Sequence, residues 1–243
     1  MKIISLVPSW TETLVRSGIS PVGRTRFCIH PLPNVSAIPV VGGTKNVSWE
    51  KALLLKPDLV IMDKEENTLS MAQNCPVPLI ATHVTDWLTM IDGLRLINEN
   101  LPSKNLNSLI DRAEDLRKAP QLQWDPNNIP GFKAWIQKPP TILQKVSYLI
   151  WKNPWMVIQP KTFIADMLTR LGAEILTLSE DKYLEVSMDQ IKESLLLFSS
   201  EPFPFLQQID ELKKEGLHGA LIDGEPFSWY GIRAIEFLEQ QQP

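Results

Sequence analysis

One amphipathic segment near the middle of the chain divides the sequence into two similar halves. Between residues 101 and 122, apolar residues recur with helical spacing at positions Leu106, Leu109, Ile110, Ala113 and Leu116. Ser103 supplies a start for this helix and Pro120 supplies a stop. The spacing predicts one long helix over residues 101–121, about 25 Å or more in length, which joins two lobes.

Each half alternates short apolar strands with helices. Residues 57–62 form one such strand in the first half, and residues 195–198 form another in the second half. This alternation predicts a parallel sheet with helices on its faces. We expect an α/β fold of two parallel-sheet, Rossmann-like lobes: an N-terminal lobe of residues 1–100, the connecting helix 101–121, and a C-terminal lobe of residues 122–243. A ligand cleft between the lobes is expected, because ligands commonly bind at such interfaces.

Composition and charge exclude several classes of protein. The net charge of −4 on 243 residues indicates no nucleic-acid partner. The sequence has no apolar run long enough to span a membrane and no secretory signal, so we expect a cytoplasmic location for the sequence as written, or a periplasmic one if a leader has been removed. Two distant cysteines do not make a disulfide framework. We expect a monomer without an intrinsic cofactor.

Aromatic residues and carboxylates are concentrated after the predicted strands. Ligands of open parallel sheets bind beyond the carboxyl ends of the strands, so these residues are candidates for ligand binding. Tryptophan, which occurs eight times, combines a broad flat face with one hydrogen-bond donor, which suits a large planar or macrocyclic ligand. The candidate residues are Trp10, Cys28, His30, Trp151, Glu201, Glu225, Trp229 and Tyr230.

The pair Cys28-x-His30 has two interpretations. Alternate residues of an extended segment point to the same side, so both side chains can bind one soft metal ion, with His83 as a third ligand. Packing or hydrogen bonding within the fold is the alternative, and a metal held by a bound ligand can also take His30 as an axial ligand.

Glu201 and Glu225 follow two strands that we expect to be neighbours. Paired carboxylates can perform acid–base chemistry, whereas hydrogen bonding to a ligand or to loops is the alternative. The sequence contains no G-x-S-x-G elbow, H-E-x-x-H motif or Rossmann glycine fingerprint.

Six runs of the sequence resemble the helical-backbone metal receptor superfamily, the class III substrate-binding proteins of ABC importers. The runs are Ile4–Leu14, Val41–Asn46, Leu53–Ile61, Leu149–Met156, Ser199–Phe205 and Asp223–Gly231. The resemblance spans nearly the whole chain and is greatest to the cobalamin-binding branch. It implies two lobes joined by one long helix, and non-catalytic binding of a metal chelate: cobalamin or another corrinoid first, haem or a siderophore otherwise.

The resemblance also implies an ABC permease as partner. Glu50 and Asp189 match the acidic positions that dock onto permease arginines, with Asp in the second lobe where Glu is usual. Both residues lie in the first turn of a predicted helix, where a carboxylate also interacts favourably with the helix dipole. We recognise neither a leader nor a lipoprotein cysteine in the first residues of the sequence as written, and we therefore expect a departure from the importer pattern.

Two other functions are alternatives. One is a cytoplasmic metal-dependent or corrinoid-processing enzyme that uses Cys28, His30 and the two glutamates. The other is an interaction module that keeps the fold without a ligand and contacts a partner through Glu50 and Asp189.

Overall fold

A computed structural model describes residues 1–141 and 143–242, and its chain divides into two compact units. The first unit contains Met1–Ala119 and Trp229–Phe237, and the second contains Pro120–Ser228 and the residues from Leu238 onward. The chain therefore passes from one unit to the other three times along its sequence. The expected boundaries assign residues 229–237 to the second lobe, but their contacts place them in the first unit.

A five-stranded sheet forms the centre of the first unit, in the order β3-β2-β1-β4-β5. Its strands are β1 (Ile3–Ser5), β2 (Gly23–Thr25), β3 (Val40–Gly42), β4 (Leu59–Asp63) and β5 (Leu79–Thr82). Every neighbouring pair in this sheet is parallel. All five residues of β4 are buried, as expected for a central parallel strand covered on both faces. The predicted parallel sheet of the first lobe is confirmed.

Residues 1–119 contain five α-helices, and four of them begin at polar side-chain caps. The five are α1 (Pro8–Arg16), α2 (Trp49–Leu54), α3 (Leu69–Gln73), α4 (Trp87–Asn100) and α5 (Lys104–Lys118). The side chains of Ser48, Thr68, Asp86 and Ser103 each accept a hydrogen bond from the backbone nitrogen three residues later, which satisfies donors that a helix leaves unpaired at its start.

Helix α5 is the long helix that the spacing predicts. It spans 15 residues, begins after the Ser103 cap and buries Leu106, Leu109 and Ala113. Trp87 Nε1 on α4 donates a hydrogen bond of 2.9 Å to the carbonyl oxygen of Ala113. The apolar stripe of α5 is therefore used within the first unit, and the chain enters the second unit after Ala119, just beyond this helix.

The second unit contains a seven-stranded mixed sheet. Its strands are β6 (Phe132–Gln137), β7 (Lys145–Trp151), β8 (Met156–Ile158), β9 (Glu174–Ile175), β10 (Tyr183–Glu185), β11 (Leu195–Ser199) and β12 (Gly219–Ile222). The order is β10-β8-β7-β11-β12-β6, and β9 also pairs with β7. Strands β9, β7, β11 and β12 pair in parallel, whereas the pairs β10–β8, β8–β7 and β12–β6 are antiparallel.

The expectation of a wholly parallel second sheet is therefore wrong at its edges. Only four residues, Lys152 to Trp155, connect β7 to β8, and a parallel pair needs a crossover of a dozen or more. Strand β6 lies inside the segment 121–140, which is rich in Pro, Asn and Gln.

The remaining helices complete the molecule. They are α6 (Phe163–Arg170), α7 (Met188–Ile191), α8 (Ile209–Lys214), α9 (Glu225–Ser228) and α10 (Ile232–Gln241). Helix α10 belongs to the first unit as far as Phe237. Within residues 1–141 and 143–242, no helix is both long and apolar enough to cross a membrane.

Candidate ligand-binding site

Trp10 lies in a buried hydrogen-bonded network at the carboxyl end of the first sheet. Its side chain has no exposed surface, and its Nε1 donates to Thr82 Oγ1 at 2.8 Å. Thr82 Oγ1 in turn donates to Asp63 Oδ2 at 2.5 Å, and the Val84 amide donates to the same oxygen at 3.0 Å. Because the Trp10 side chain is fully buried, it packs beneath the carboxyl end of the sheet. It has no exposed face that could contact a ligand.

Tyr230 packs against Trp10, although our sequence interpretation placed it in the second lobe. The two ring centroids are 4.8 Å apart at an interplanar angle of 62°. Burial raises the pKa of the Tyr230 phenol well above its ordinary value, and the neighbouring Asp63 carboxylate raises it further. Tyr230 therefore stays protonated at neutral pH.

Cys28 and His30 lie in different environments. The Cys28 thiol is fully buried and lies 3.1 Å from the hydroxyl oxygens of both Thr11 and Thr25. Burial raises the pKa of Cys28, which disfavours the thiolate that binds metal ions. His83 pairs instead with Glu65, with 2.7 Å between Nε2 and Oε1. The surroundings of Cys28 match the packing alternative.

In the part of the chain that the structure describes, no three His, Cys, Asp or Glu side chains come together in a group that could hold a metal ion.

His30 is half-exposed and lies edge-on to Trp229. The ring centroids of His30 and Trp229 are 5.2 Å apart at 70°, and only 9% of Trp229 is exposed. The Arg233 guanidinium lies 5.2 Å from the centroid of the Trp229 ring. These contacts join the loop after β2 to the start of α10 within one unit.

A bidentate ion pair fixes Arg233 to helix α1. Arg233 Nε and Nη2 donate to the two carboxylate oxygens of Glu12 at 2.8 and 2.9 Å, and Glu12 is only 4% exposed. Our sequence reasoning missed this pair. A carboxylate two positions after Trp10, in a helix with a buried face, was the available signal.

Glu201 forms hydrogen bonds with residues at the end of β11 and in the segment that follows β12. The Ser228 hydroxyl donates to Glu201 Oε1, and Ser199 Oγ donates to the Glu201 carbonyl oxygen at 2.5 Å. Tyr148 donates to Ser199 Oγ at 3.0 Å. Burial raises the pKa of Tyr148, and the charges of Glu201 and Asp223 raise it further. The hydrogen bonds of Glu201 match the loop-bonding alternative.

Glu225 is the first residue of α9, beyond the end of β12. Its amide donates to Asp223 Oδ1 at 3.3 Å, and Lys133 Nζ pairs with Asp223 at 2.8 Å. Strands β11 and β12 are parallel neighbours as expected. Glu201 and Glu225 therefore follow adjacent strand ends of the second sheet.

Trp151 at the end of β7 is the most exposed of the candidate aromatic residues, with 41% of its surface accessible. Its ring meets Phe203 edge-on at 5.4 Å, and Phe203 contacts Phe205 at 4.7 Å. The neighbouring Lys152 is buried and its Nζ lies 5.4 Å from the Trp155 ring. Trp151 therefore contributes an exposed aromatic side chain to the second unit.

Glu50 and Asp189 are both exposed, in the first turns of α2 and α7. Asp189 Oδ1 lies 3.6 Å from Lys192 Nζ. Their exposure leaves both carboxylates accessible to a partner.

Two cavities lie away from the candidate residues. One of about 390 Å³ in the first unit is lined in part by Arg26, Ser48 and Lys51. Another of about 350 Å³ in the second unit is lined in part by Met188 and His218. Neither of these two is lined by a candidate ligand-binding residue.

Solved structures with a similar fold include the following three binding proteins. The periplasmic vitamin B12 binding protein BtuF of Vibrio cholerae is 18% identical, with 98% of this chain and 94% of that chain covered and a TM-score of 0.69. The periplasmic heme-binding protein RhuT from Roseiflexus sp. RS-1 is 18% identical over 99% and 95% of the chains, with a TM-score of 0.72. A possible iron-binding, periplasmic solute-binding protein from Staphylococcus epidermidis is 20% identical over 99% and 96%, with a TM-score of 0.70.

The chain shares the α/β fold of these solved proteins, and the fold that the sequence resemblance implied is confirmed. Neither a protein-family model nor a curated protein sequence matches it.

Proposed function

We propose that this protein binds a metal chelate without transforming it, as a transport-type substrate-binding protein. The observation that carries the proposal is the half-exposed His30 ring set against Trp229 at the carboxyl end of the first sheet. An imidazole held in this way can offer a nitrogen to the metal of a chelate. Support comes from the fold, since solved structures that share it include a vitamin B12 binding protein and a heme-binding protein.

A corrinoid such as cobalamin is the ligand that we propose first, with haem or a siderophore as the other candidates. A corrinoid is large and presents both flat faces and amide groups. The exposed Trp151 offers an aromatic surface to such a ligand, and Glu201 and Glu225 offer acceptors for its amides. Trp10, Cys28, Trp229 and Tyr230 act from the interior by supporting the loops.

Binding is favoured over catalysis by the way in which the carboxylates are held. Glu201 accepts a hydrogen bond from Ser228, which stabilises it as a fixed acceptor. The enzyme alternative requires a tightly bound metal. Elemental analysis of protein purified without a histidine tag tests that alternative, and stoichiometric metal would support it.

An ABC permease remains the proposed partner, contacted by the exposed Glu50 and Asp189. Pull-down with and without the pair of substitutions Glu50→Arg and Asp189→Arg tests this contact. The monomeric state and the compartment stay predictions, which light scattering and cell fractionation can address.

The test of the ligand site compares two histidine variants. Equilibrium dialysis against cyanocobalamin, cobinamide and haem should show saturable binding of at least one chelate, and His30→Ala should weaken that binding by about tenfold, the effect of losing a few favourable contacts. His83→Ala is the matched control, because His83 is a half-exposed histidine paired with Glu65. Equal weakening by both variants would contradict the assignment to His30.

A further inference from the structure

We infer that Glu12, Arg233 and Trp229 are positioning residues that hold the His30 ring in its orientation. The inference rests on the proposed function, in which His30 faces the chelate. The four residues form a chain of contacts from helix α1 to the loop after β2. His30 is the half-exposed member, and the other three act through it.

The chain begins at a nearly buried charge. Glu12 is 4% exposed, and a buried carboxylate needs a partner that satisfies both of its oxygens. Arg233 supplies this partner with two parallel hydrogen bonds of 2.8 and 2.9 Å, the geometry that a guanidinium fork provides and an ammonium does not. Arg16 lies farther away, at 3.7 Å from Glu12 Oε1.

The fixed guanidinium then holds the indole. Arg233 Cζ lies 5.2 Å from the centroid of Trp229, within the range of a cation–π contact. The Trp229 ring is 9% exposed, and the His30 ring packs edge-on against it with 5.2 Å between the centroids. A displacement of Arg233 therefore moves the surface against which His30 rests.

The backbone between Trp229 and Arg233 is also anchored on α1. The Ile232 amide donates to Thr13 Oγ1 at 3.1 Å, and Tyr230 packs on Trp10 at 4.8 Å. These contacts keep the segment in place when the ion pair alone is removed. Substitutions at Glu12 or Arg233 should therefore change the orientation of the rings without releasing the segment.

The first experiment reads the orientation of His30 without any ligand. The chain has three histidines, so His30→Ala assigns the His30 ring-proton signals in an NMR spectrum. Arg233→Met and Glu12→Gln should both move these signals, because the ring current of Trp229 acts on them. Arg16→Met is the matched control, since Arg16 also contacts Glu12 and pairs with Glu236 at 2.6 Å; it should leave the His30 signals in place.

The conservative variant Arg233→Lys keeps the positive charge but loses the forked guanidinium geometry. It should therefore shift the His30 ring-proton signals less than Arg233→Met does. Thermal unfolding of each variant shows whether the fold is retained. Unchanged His30 signals in a folded Arg233→Met variant would overturn the inference.

The second experiment measures binding of cyanocobalamin, cobinamide and haem. Arg233→Met should weaken binding of the chelate that wild type takes up by about tenfold, comparable to a lost cation–π contact. In a His30→Ala background the same substitution should have almost no further effect, because both act through one ring. An undiminished effect in that background would show that Arg233 acts independently of His30 and would overturn the inference.

The two experiments separate the inference from the proposed function. If wild type binds no chelate, the proposed function fails. The NMR comparison then still decides whether Glu12 and Arg233 position His30.

Discussion

The indole nitrogen of Trp10 donates a 2.8 Å hydrogen bond to the hydroxyl oxygen of Thr82, across 72 residues of sequence. The same hydroxyl donates to the buried carboxylate of Asp63 at 2.5 Å. One side chain at the end of β5 therefore satisfies a donor on α1 and an acceptor on β4.

Removing this hydroxyl should destabilise the protein. Thr82→Val leaves Trp10 Nε1 without its acceptor and Asp63 without one of its donors, and unsatisfied buried groups of this kind cost about 2–3 kcal/mol. The free energy of unfolding in urea measures the loss. Thr82→Ser keeps the hydroxyl and should cost about 1 kcal/mol. Equal losses in the two variants would contradict the role assigned to the hydroxyl.

Two glycines with similar backbone angles should respond differently to alanine. Gly231 has φ +82° and a Cβ there would collide with Thr13 Oγ1, whereas Gly216 has φ +74° and open space around it. Gly216→Ala should cost about 1 kcal/mol for the left-handed conformation alone. Gly231→Ala adds the steric clash and should cost about 3 kcal/mol. Urea unfolding of both variants gives the comparison, and similar losses would show that the contact with Thr13 is loose.

The buried Lys152 should make stability depend on pH. Its Nζ lies 2.7 Å from Glu211 and 2.6 Å from Glu215. The hydrogen bond from Lys152 lowers the pKa of Glu211 below its ordinary 4.5. Burial lowers the pKa of Lys152, but its bonds to the two glutamates outweigh burial and raise the pKa above its ordinary 10.5.

The signs of these shifts set the pH window. A lowered carboxyl pKa stabilises the fold above about pH 4.5, and this contribution is lost as the pH falls through the folded-state pKa. A raised amine pKa stabilises the fold below about pH 10.5, and its contribution is lost as the pH rises through the folded-state pKa. The free energy of unfolding in urea should therefore differ most between Lys152→Met and wild type at pH values between these two limits. Lys161→Met, at an exposed pair with Glu180, is the control, and a Lys152→Met profile parallel to wild type would contradict this account.

The two thiols should react at different rates. Cys28 is fully buried, Cys75 is partly exposed, and burial raises the pKa of both thiols. A thiol-specific reagent should modify one cysteine in the native protein and both in urea, and Cys75→Ala should abolish the native reaction. Rapid native modification of Cys28 would place that thiol at the surface and return it to the candidate metal ligands.

Much of the first unit could be predicted because its signals are local. Central parallel strands such as β4 read as apolar runs, and the stripe of α5 follows directly from its spacing. Caps such as Ser103 also depend only on residues nearby. These features do not require knowledge of which distant segments meet.

The rest depends on long-range pairing. Strand β6 forms within a Pro-rich segment because β12 offers it an antiparallel edge. Trp229 packs against His30, and Tyr230 packs against Trp10, because the chain returns to the first unit at residue 229. No local sequence pattern predicts this return. The burial of Cys28 follows from the same packing, so its spacing to His30 suggested a metal pair that the environment of the thiol disfavours.

The most direct test of chelate binding is a tryptophan-fluorescence titration of the wild-type protein with cyanocobalamin, cobinamide and haem. Our account predicts saturable quenching by at least one of the three at a ratio of one chelate per chain, since Trp151, a proposed ligand-binding residue, is exposed. Quenching that rises linearly with all three chelates and never saturates would contradict the account.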